Sequence, residues 1–483
     1  MKLKIVARFL AVIVFLISAC MIMPLVWAVR EGGNEIRAFA YSIALGSLFS
    51  ITLLLFSYKA QARDMGTREA FAAVALAWIF ASFQGCLPYY LGGYVSDFTE
   101  AYFEAMSGFT TTGATIFRNI EALPRGIIFW RAVTHWLGGM GIVVLTLALL
   151  PMLGMGVNRL FKAEVPGPVL EKINPRVQDS ALMLWKVYLG ITAVGILLML
   201  AGGMDLYDSI CHVFAAVSTG GFSTRNQSVG WYHSAFIDWS LTAVMFVSGA
   251  NFGLHLLAIK NRTLKPYRDP EFKFYSGVAL LSTFVITTSL FRNSCYPTII
   301  ECLRYSAFQA VSMMTTTGFV TADFSKWPTI TQMTIVVLMF IGGCAGSTSG
   351  AIKCIRIQMV LKQISAEVRR FIHPHAYVPI RLGDKTITDK LAFSASSFIA
   401  LYFVIFAVAA VMISYTGEDV VTSITAVAVT LGNIGPGLGD VGPATTFHTQ
   451  TILAKWIYVF CMLCGRLELY TVLVLFTKDA WHR

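Results

Sequence analysis

Four short turns carry the residues in this chain whose types and spacing could do chemistry. They are Thr110-Thr111-Thr112-Gly113-Ala114, Val217-Ser218-Thr219-Gly220-Gly221, Thr315-Thr316-Thr317-Gly318-Phe319 and Val429-Thr430-Leu431-Gly432-Asn433. One Thr-Gly turn alone is usually only a turn. Here Gly113, Gly220, Gly318 and Gly432 recur at intervals of roughly a hundred residues, too long for a solenoid repeat. Ala105 and Ala310 precede the first and third glycines by one shared interval, and Ser107 and Ser312 by another. Glycine tolerates φ > 0, which lets successive carbonyls point the same way. Stacked rings of such carbonyls can replace the hydration shell of a monovalent cation. The chemistry expected of these turns is ion ligation by the main chain.

Two further features lie in apolar surroundings. Gly342-Gly343-Cys344-Ala345-Gly346-Ser347-Thr348-Ser349-Gly350 interrupts an apolar run, and each glycine held in a helix costs about 1 kcal/mol, so a break is expected there. A close-packing small-residue face of the G-x-x-x-G kind is the plainer reading. Arg466 lies inside the last apolar segment with Glu468 nearby. A charge at bilayer depth is costly unless paired, which marks Arg466 as a functional candidate; a structural pair with Glu468 or with loop carbonyls is the alternative. Lys455, nearer the segment's other end, is expected to snorkel.

Such groups need a membrane-spanning frame. The 483 residues are 56% hydrophobic and only 13% charged, against about 25% charged in soluble domains. That excludes a disordered chain, a fibre and a secreted disulfide scaffold. Apolar segments fall at 9–29, 38–58, 70–92, 127–153, 180–203, 236–259, 274–291, 329–352, 390–415 and 451–477, giving ten candidate helices. The first matches a lipoprotein cleavage box at Ile17–Cys20 but continues past it, so it is expected to stay as an uncleaved membrane helix. The net charge of +11 is dispersed and reads as a topology signal, with no nucleic-acid patch. Basic residues collect at Lys2, Lys4 and Arg8, in Lys260–Lys273 and in Lys353–Lys390, whereas Asp97, Glu100, Glu104, Asp205, Asp208, Glu418 and Asp419 lie between other spans. Both termini are therefore expected to be cytoplasmic.

Between the third and fourth, fifth and sixth, seventh and eighth, and ninth and tenth segments lie short helix-compatible stretches, each ending in one of the four turns. The expected architecture is an all-α integral membrane protein: two leading helices, then four helix–re-entrant hairpin–helix units. The divisions are 1–69 for the extra helices, then 70–158, 159–265, 266–385 (with the Gly-rich loop and a basic linker) and 386–483. Non-helical backbone at membrane depth is tolerated only where it is buried in protein or lines a watery cavity. Four such hairpins can therefore converge on a pseudo-fourfold axis. Short helices ending there would aim negative dipole ends at it, favouring a cation.

On these residues the chain resembles the Trk/Ktr/HKT superfamily of potassium transporters, over nearly its whole length. The two leading helices make it similar to the TrkH/TrkG branch. The resemblance implies four M1–P–M2 pore-loop repeats, about ten transmembrane helices and four re-entrant pore helices. It places a selectivity filter on Thr111, Thr112 and Gly113 with Ala114; on Ser218, Thr219, Gly220 and Gly221; on Thr316, Thr317 and Gly318 with Phe319; and on Thr430, Leu431, Gly432 and Asn433. Repeat four departs from the Thr-Gly pattern at Leu431. In plant relatives a serine at the first filter glycine goes with sodium transport; all four glycines are present here, so the resemblance implies potassium. It also implies that Gly342–Gly350 is an intramembrane gate and that Arg466 faces the pathway. It further implies a homodimer in a bacterial inner membrane, regulated by a cytoplasmic ring of nucleotide-binding RCK (TrkA-type) subunits. Docking of that ring is expected on Leu160–Asp179 and Lys353–Lys390, with attraction to anionic lipid headgroups as the alternative for the linker. The potassium ion is the cargo, with no organic cofactor.

The remaining motifs are decoys. Gly437-Leu438-Gly439-Asp440-Val441-Gly442 matches G-x-G-x-x-G but lacks the flanking strand and helix of a dinucleotide fold, and prolines bracket it. Cys461 and Cys464 sit in an apolar run, and Cys295 and Cys302 are expected to be reduced packing residues. His135 and His255 are expected to be hydrogen-bonded packing residues. A proton- or sodium-coupled symporter would want inverted repeats and midplane carboxylates, whereas these repeats are parallel and acids are nearly missing from the spans. An enzyme would need clustered His, Asp or Cys. Coupled transport and a less selective sodium/potassium channel stay as alternatives.

Overall fold

A computed structural model describes residues 3–58, 66–141, 177–376, 378–383 and 385–477. The chain is a multi-pass membrane protein built almost wholly of helices. Helices α1 (Leu3–Cys20) and α2 (Ile22–Glu31) form one span, interrupted at Met21. Pro24 has no N–H to return to the carbonyl of Cys20, which accounts for the interruption. Helix α3 (Glu35–Phe56) packs back along α1.

Four units follow, each a long helix, a short helix, a turn and a second long segment. The first long helices are α4 (Thr67–Leu91), α7 (Val177–Ala201), α11 (Pro270–Arg292) and α15 (Asp389–Tyr415). The short helices are α5 (Phe98–Phe109), α8 (Leu206–Val217), α12 (Ile299–Met314) and α16 (Val420–Leu431). Three of the short helices are 12 residues long and one 16; at about 1.5 Å per residue none reaches across a ~30 Å hydrocarbon core.

The second long segments are broken. Helix α6 (Arg125–Gly139) stops before Gly141, whose φ is +76°. Helices α9 (Ala235–Ser248) and α10 (Phe252–Asn261) meet at 94°, across Gly249-Ala250-Asn251. Helix α13 (Thr329–Phe340) gives way to the Gly-rich stretch before α14 (Cys354–Ile372). Helix α17 (Ile452–Arg466) meets α18 (Tyr470–Leu473) and the 3₁₀ turn after it at 113°. Sequence reasoning predicts only the break after Phe340. The others form where Gly, Asn or a charged residue interrupts the apolar run.

These breaks shorten several of the ten expected spans. Six described helices are long and apolar enough to cross, or up to eight if each bent pair is one span. The segment expected at 329–352 stops at Phe340, because Gly342 and Gly343 do not continue the helix. Residues 142–176, including the end of the segment expected at 127–153, the 158/159 division and nearly all of Leu160–Asp179, lie outside the described residues. The expected all-α fold also has a small exception. Strands β1 (Ile380–Leu382) and β2 (Lys385–Ile387) form a hairpin in the basic linker, with Ile380 opposite Ile387.

One continuous apolar core runs through all four units. Exposed apolar side chains are concentrated on the outer helices: Leu48 and Leu55 on α3, Leu280 and Phe284 on α11, Val404 and Val411 on α15. Helices that are apolar on both faces suit a lipid solvent. All nine cysteines are free, including Cys295, Cys302, Cys461 and Cys464.

Candidate functional site

Each short helix begins on a side-chain cap. Asp97, Asp205, Thr298 and Asp419 accept the backbone N–H of Glu100, Asp208, Glu301 and Thr422, the residue three further on. Such a cap is worth about 1 kcal/mol and fixes where the helix starts. All four helices then end in the same way. The N–H groups of Thr111, Thr219, Thr316 and Asn433 return to the carbonyls of Gly108, Ala216, Met313 and Thr430. Those of Thr112, Gly220, Thr317 and Ile434 return to Ser107, Ala215, Ser312 and Val429. This is the Schellman pairing, which needs a left-handed residue just past the helix.

That residue is Thr111 (φ +54°), Thr219 (+55°), Thr316 (+58°) or Asn433 (+55°). Asparagine tolerates the conformation, but a β-branched threonine there is an outlier, and three in equivalent places mark a constrained segment. Two residues on, Gly113, Gly221, Gly318 and Gly435 take φ of +81°, +81°, +78° and +105°.

The four turns close on one another. A Cβ at Gly113 would overlap the carbonyl oxygen of Gly220; at Gly221, that of Thr317; at Gly318, that of Ile434. At Gly435 it would lie 2.8 Å from the carbonyl oxygen of Thr112. Each glycine is thus pressed against the peptide preceding the next unit's glycine, and the series returns to its start after four steps. All four glycines line one cavity of about 130 Å³, reached from the side on which the short helices begin. The negative ends of four helix dipoles meet at the same ring.

This geometry shifts the register read from sequence. Thr430 and Leu431 are the last turn of α16, not part of the turn, and Gly432 is its C-cap, equivalent to Thr110, Ser218 and Thr315. Ser218 is likewise a cap. Gly220 corresponds to Thr112, Thr317 and Ile434, so the left-handed glycine of unit two is Gly221. In unit four it is Gly435, which sequence reasoning missed. Counting from the caps finds it: Asp97 to Gly113, Asp205 to Gly221 and Asp419 to Gly435 span the same interval, and unit three is longer by one helical turn.

A charged pair holds the exits of the first two turns. Glu104, fully buried, accepts from the hydroxyl of Thr115 at 3.0 Å and the N–H of Ile116 at 2.9 Å. Arg131 donates to Glu104 at 2.7 Å and to the carbonyl of Ser223 at 3.2 Å, and lies 4.0 Å from the centre of the Phe222 ring. Arg131 was legible by the argument used for Arg466, a charge inside an apolar run, but was not singled out. Lys455 corrects the snorkelling expectation. It is buried and donates to Glu100 at 2.9 Å and to the carbonyl of His448 at 3.0 Å. Burying the ammonium is tolerable because a carboxylate meets it.

On the other face of the ring the Gly-rich stretch forms a loop. Ile341 and Ile352 pair in parallel at its neck. The N–H of Gly350 donates to the hydroxyl of Thr316 at 2.7 Å, and that of Ala351 to the carbonyl of Gly432 at 3.0 Å. Gly343 abuts the carbonyl of Gly249, and the N–H of Cys344 donates to it at 2.9 Å. The Thr348 hydroxyl donates to Val217 at 3.1 Å. Gly342, Ala345, Gly346, Ser347 and Ser349 complete the loop, directly under the turns. Arg466 donates to the carbonyl of Thr348 at 2.8 Å, to that of Gly139 at 2.9 Å and to that of Gly138. Glu468 pairs instead with Arg356. A second cavity, about 120 Å³, lies between the loop and Arg466, with Trp78, Asn251 and Lys353 in its walls.

His135 bonds the carbonyl of Gly108 and stacks on Phe222, and His255 bonds Tyr267 and Val247. Among the described residues, no three His, Cys, Asp or Glu side chains are grouped to hold a metal. The site can thus ligate a weakly hydrated cation through peptide oxygens, with a positive charge and a peptide plug on one side.

Comparison with known proteins agrees in kind. The model of the TrkH family, described as cation transport proteins, matches residues 32–292 and 299–482. The Trk system potassium uptake protein TrkH of Escherichia coli K12 is 37% identical over the full length of both chains, and that of Halomonas elongata 38%. The Trk system potassium uptake protein TrkG of E. coli is 32% identical over 99% of each. The crystal structure of the potassium transporter TrkH from Vibrio parahaemolyticus superposes with a TM-score of 0.90, at 31% identity and full coverage of both.

Proposed function

The chain belongs to the TrkH family of cation transport proteins, and from that premise we propose that it takes up potassium through the ring of four turns. Its relatives are transport proteins, not enzymes, and potassium uptake is the activity that membership supports. The carbonyls around Thr111–Gly113, Thr219–Gly221, Thr316–Gly318 and Asn433–Gly435 form the selectivity filter. The observation that carries this reading is the closed ring of contacts: four peptides are each pressed against a glycine that leaves no room for a side chain. Fixed carbonyl dipoles replace the hydration of a cation at little reorganisation cost.

Gly342–Gly350 is the gate, because at its end the N–H groups of Gly350 and Ala351 are bonded to Thr316 and Gly432 of two of the turns. Arg466 holds the gate through Thr348 and raises a positive barrier below the filter. The protein works as a homodimer in a bacterial inner membrane, with both termini cytoplasmic, as the basic segments indicate. The basic linker 353–390, carrying α14 and the hairpin, receives a cytoplasmic nucleotide-binding RCK ring. A pull-down with that linker scrambled but charge-matched tests the last point: undiminished binding would refute docking there.

Uptake itself is tested in proteoliposomes containing the purified protein, by following radiolabelled rubidium and sodium. Rubidium influx well above sodium influx, competed by potassium and unchanged by collapse of proton and sodium gradients, is expected. Equal influx of the two cations would overturn the potassium filter, and flux that stops with the gradients would show a symporter.

A further inference from the structure

The Gly-rich loop is tied upward to the turns and held at Thr348 by Arg466, and a side chain of α11 grips it at another point. Glu271, in the first turn of α11, is 3% exposed. Its Oε1 accepts the N–H of Ala345 at 2.7 Å and the N–H of Ile355 at 3.1 Å. Ala345 lies in the loop proper, and Ile355 in the first turn of α14, where helical N–H groups have no partner in their own helix. A carboxylate suits that place because the helix end is positive. The single oxygen therefore joins the outgoing limb of the loop to the helix that receives the returning limb.

We propose that Glu271 is the latch of the loop, a positioning residue that sets how firmly the gate stays shut. This rests on the reading of Gly342–Gly350 as the gate. Lifting the loop takes Ala345 off the carboxylate and leaves a buried amide without an acceptor. Because Ile355 shares the same oxygen, a pull on α14 that shifts Ile355 loosens Ala345 in the same motion. The latch thus converts displacement of the cytoplasmic linker, which continues from α14, into release of the loop. Removing two charge-assisted bonds is expected to favour the open loop roughly tenfold or more.

The test compares rubidium influx for wild type, Glu271→Ala, Glu271→Gln, deletion of Gly343–Gly350, and the deletion combined with Glu271→Ala. Thiol labelling of Cys344, buried beside Ala345, is followed by mass spectrometry in the full-length proteins. The latch requires that Glu271→Ala raise influx about tenfold and speed Cys344 labelling, with no added effect on the deletion, since a residue that acts through the loop has nothing left to act on. Glu271→Gln keeps an acceptor without the charge and should fall between; it takes the place of Glu271→Ala if that protein does not reach the membrane. If deletion raises influx while the Glu271 variants match wild type in influx and labelling, the latch is refuted and the gate stands. An equal loss of influx in both backgrounds shows a merely structural carboxylate and also refutes it. If deletion leaves influx unchanged, the gate reading falls and the latch, which rests on it, falls with it.

Discussion

Replacing Gly221 by alanine should damage ion discrimination more than it damages the fold. Gly221 has φ +81°, and an added methyl would overlap the carbonyl oxygen of Thr317 in the neighbouring turn. Left-handed backbone costs an L-residue about 1–2 kcal/mol, and forcing a methyl into a packed site about 1–3 kcal/mol. The total is about 2–5 kcal/mol. No flexible side chain can move aside, because the obstacle is a peptide. The strain must therefore shift the Thr317 carbonyl, one of the oxygens of the ring. If as little as about 1.4 kcal/mol of it falls on the difference between potassium and sodium, discrimination drops tenfold. The assay is the rubidium-to-sodium influx ratio in proteoliposomes, at matched protein yield and melting temperature. Gly277→Ala in α11, where an added methyl meets nothing within 4 Å, is the control. It should keep the wild-type ratio and gain up to about 1 kcal/mol of stability. A wild-type ratio in folded Gly221→Ala would refute the reasoning.

Three further outcomes are expected. Arg466→Ala removes charged donors from the carbonyls of Thr348, Gly138 and Gly139, each worth about 1.5–3 kcal/mol; influx without any cytoplasmic partner should rise several-fold, and Arg466→Lys, which cannot span the three carbonyls, should restore closure only in part. Arg131→Gln leaves Glu104 buried without its cation and should cost about 3–5 kcal/mol, read as a lower melting temperature in detergent, with the double change Glu104→Gln and Arg131→Gln less harmful than the single one. Asp205→Ala removes the cap of α8 and should cost about 1 kcal/mol with little change in the influx ratio, since the cap lies at the far end of the helix from the ring.

Much of the frame is legible because it depends on neighbours in the chain. Apolar segments and capping residues are local properties, and they identify the long helices and the short helices. Gly342–Gly350 and Arg466 stand out for the same reason, each being costly in an unbroken apolar helix. Bends at Gly249 and after Arg466 were less legible, since one glycine or one charge does not by itself break a helix.

The composition and spacing of residues determined a four-unit membrane protein with a Thr/Ser-Gly turn closing three of its four short helices. Tertiary structure showed the register of the fourth turn, where Gly435 and not Gly432 faces the ring. It also decided the partners of the buried charges: Arg131 with Glu104, Lys455 with Glu100, Glu468 with Arg356, and Glu271 with two backbone amides. The physical reason is distance along the chain. Which peptide a glycine must clear, and which carbonyl a guanidinium must satisfy, are set by segments tens to hundreds of residues away, and only the packed ring brings them within hydrogen-bonding reach.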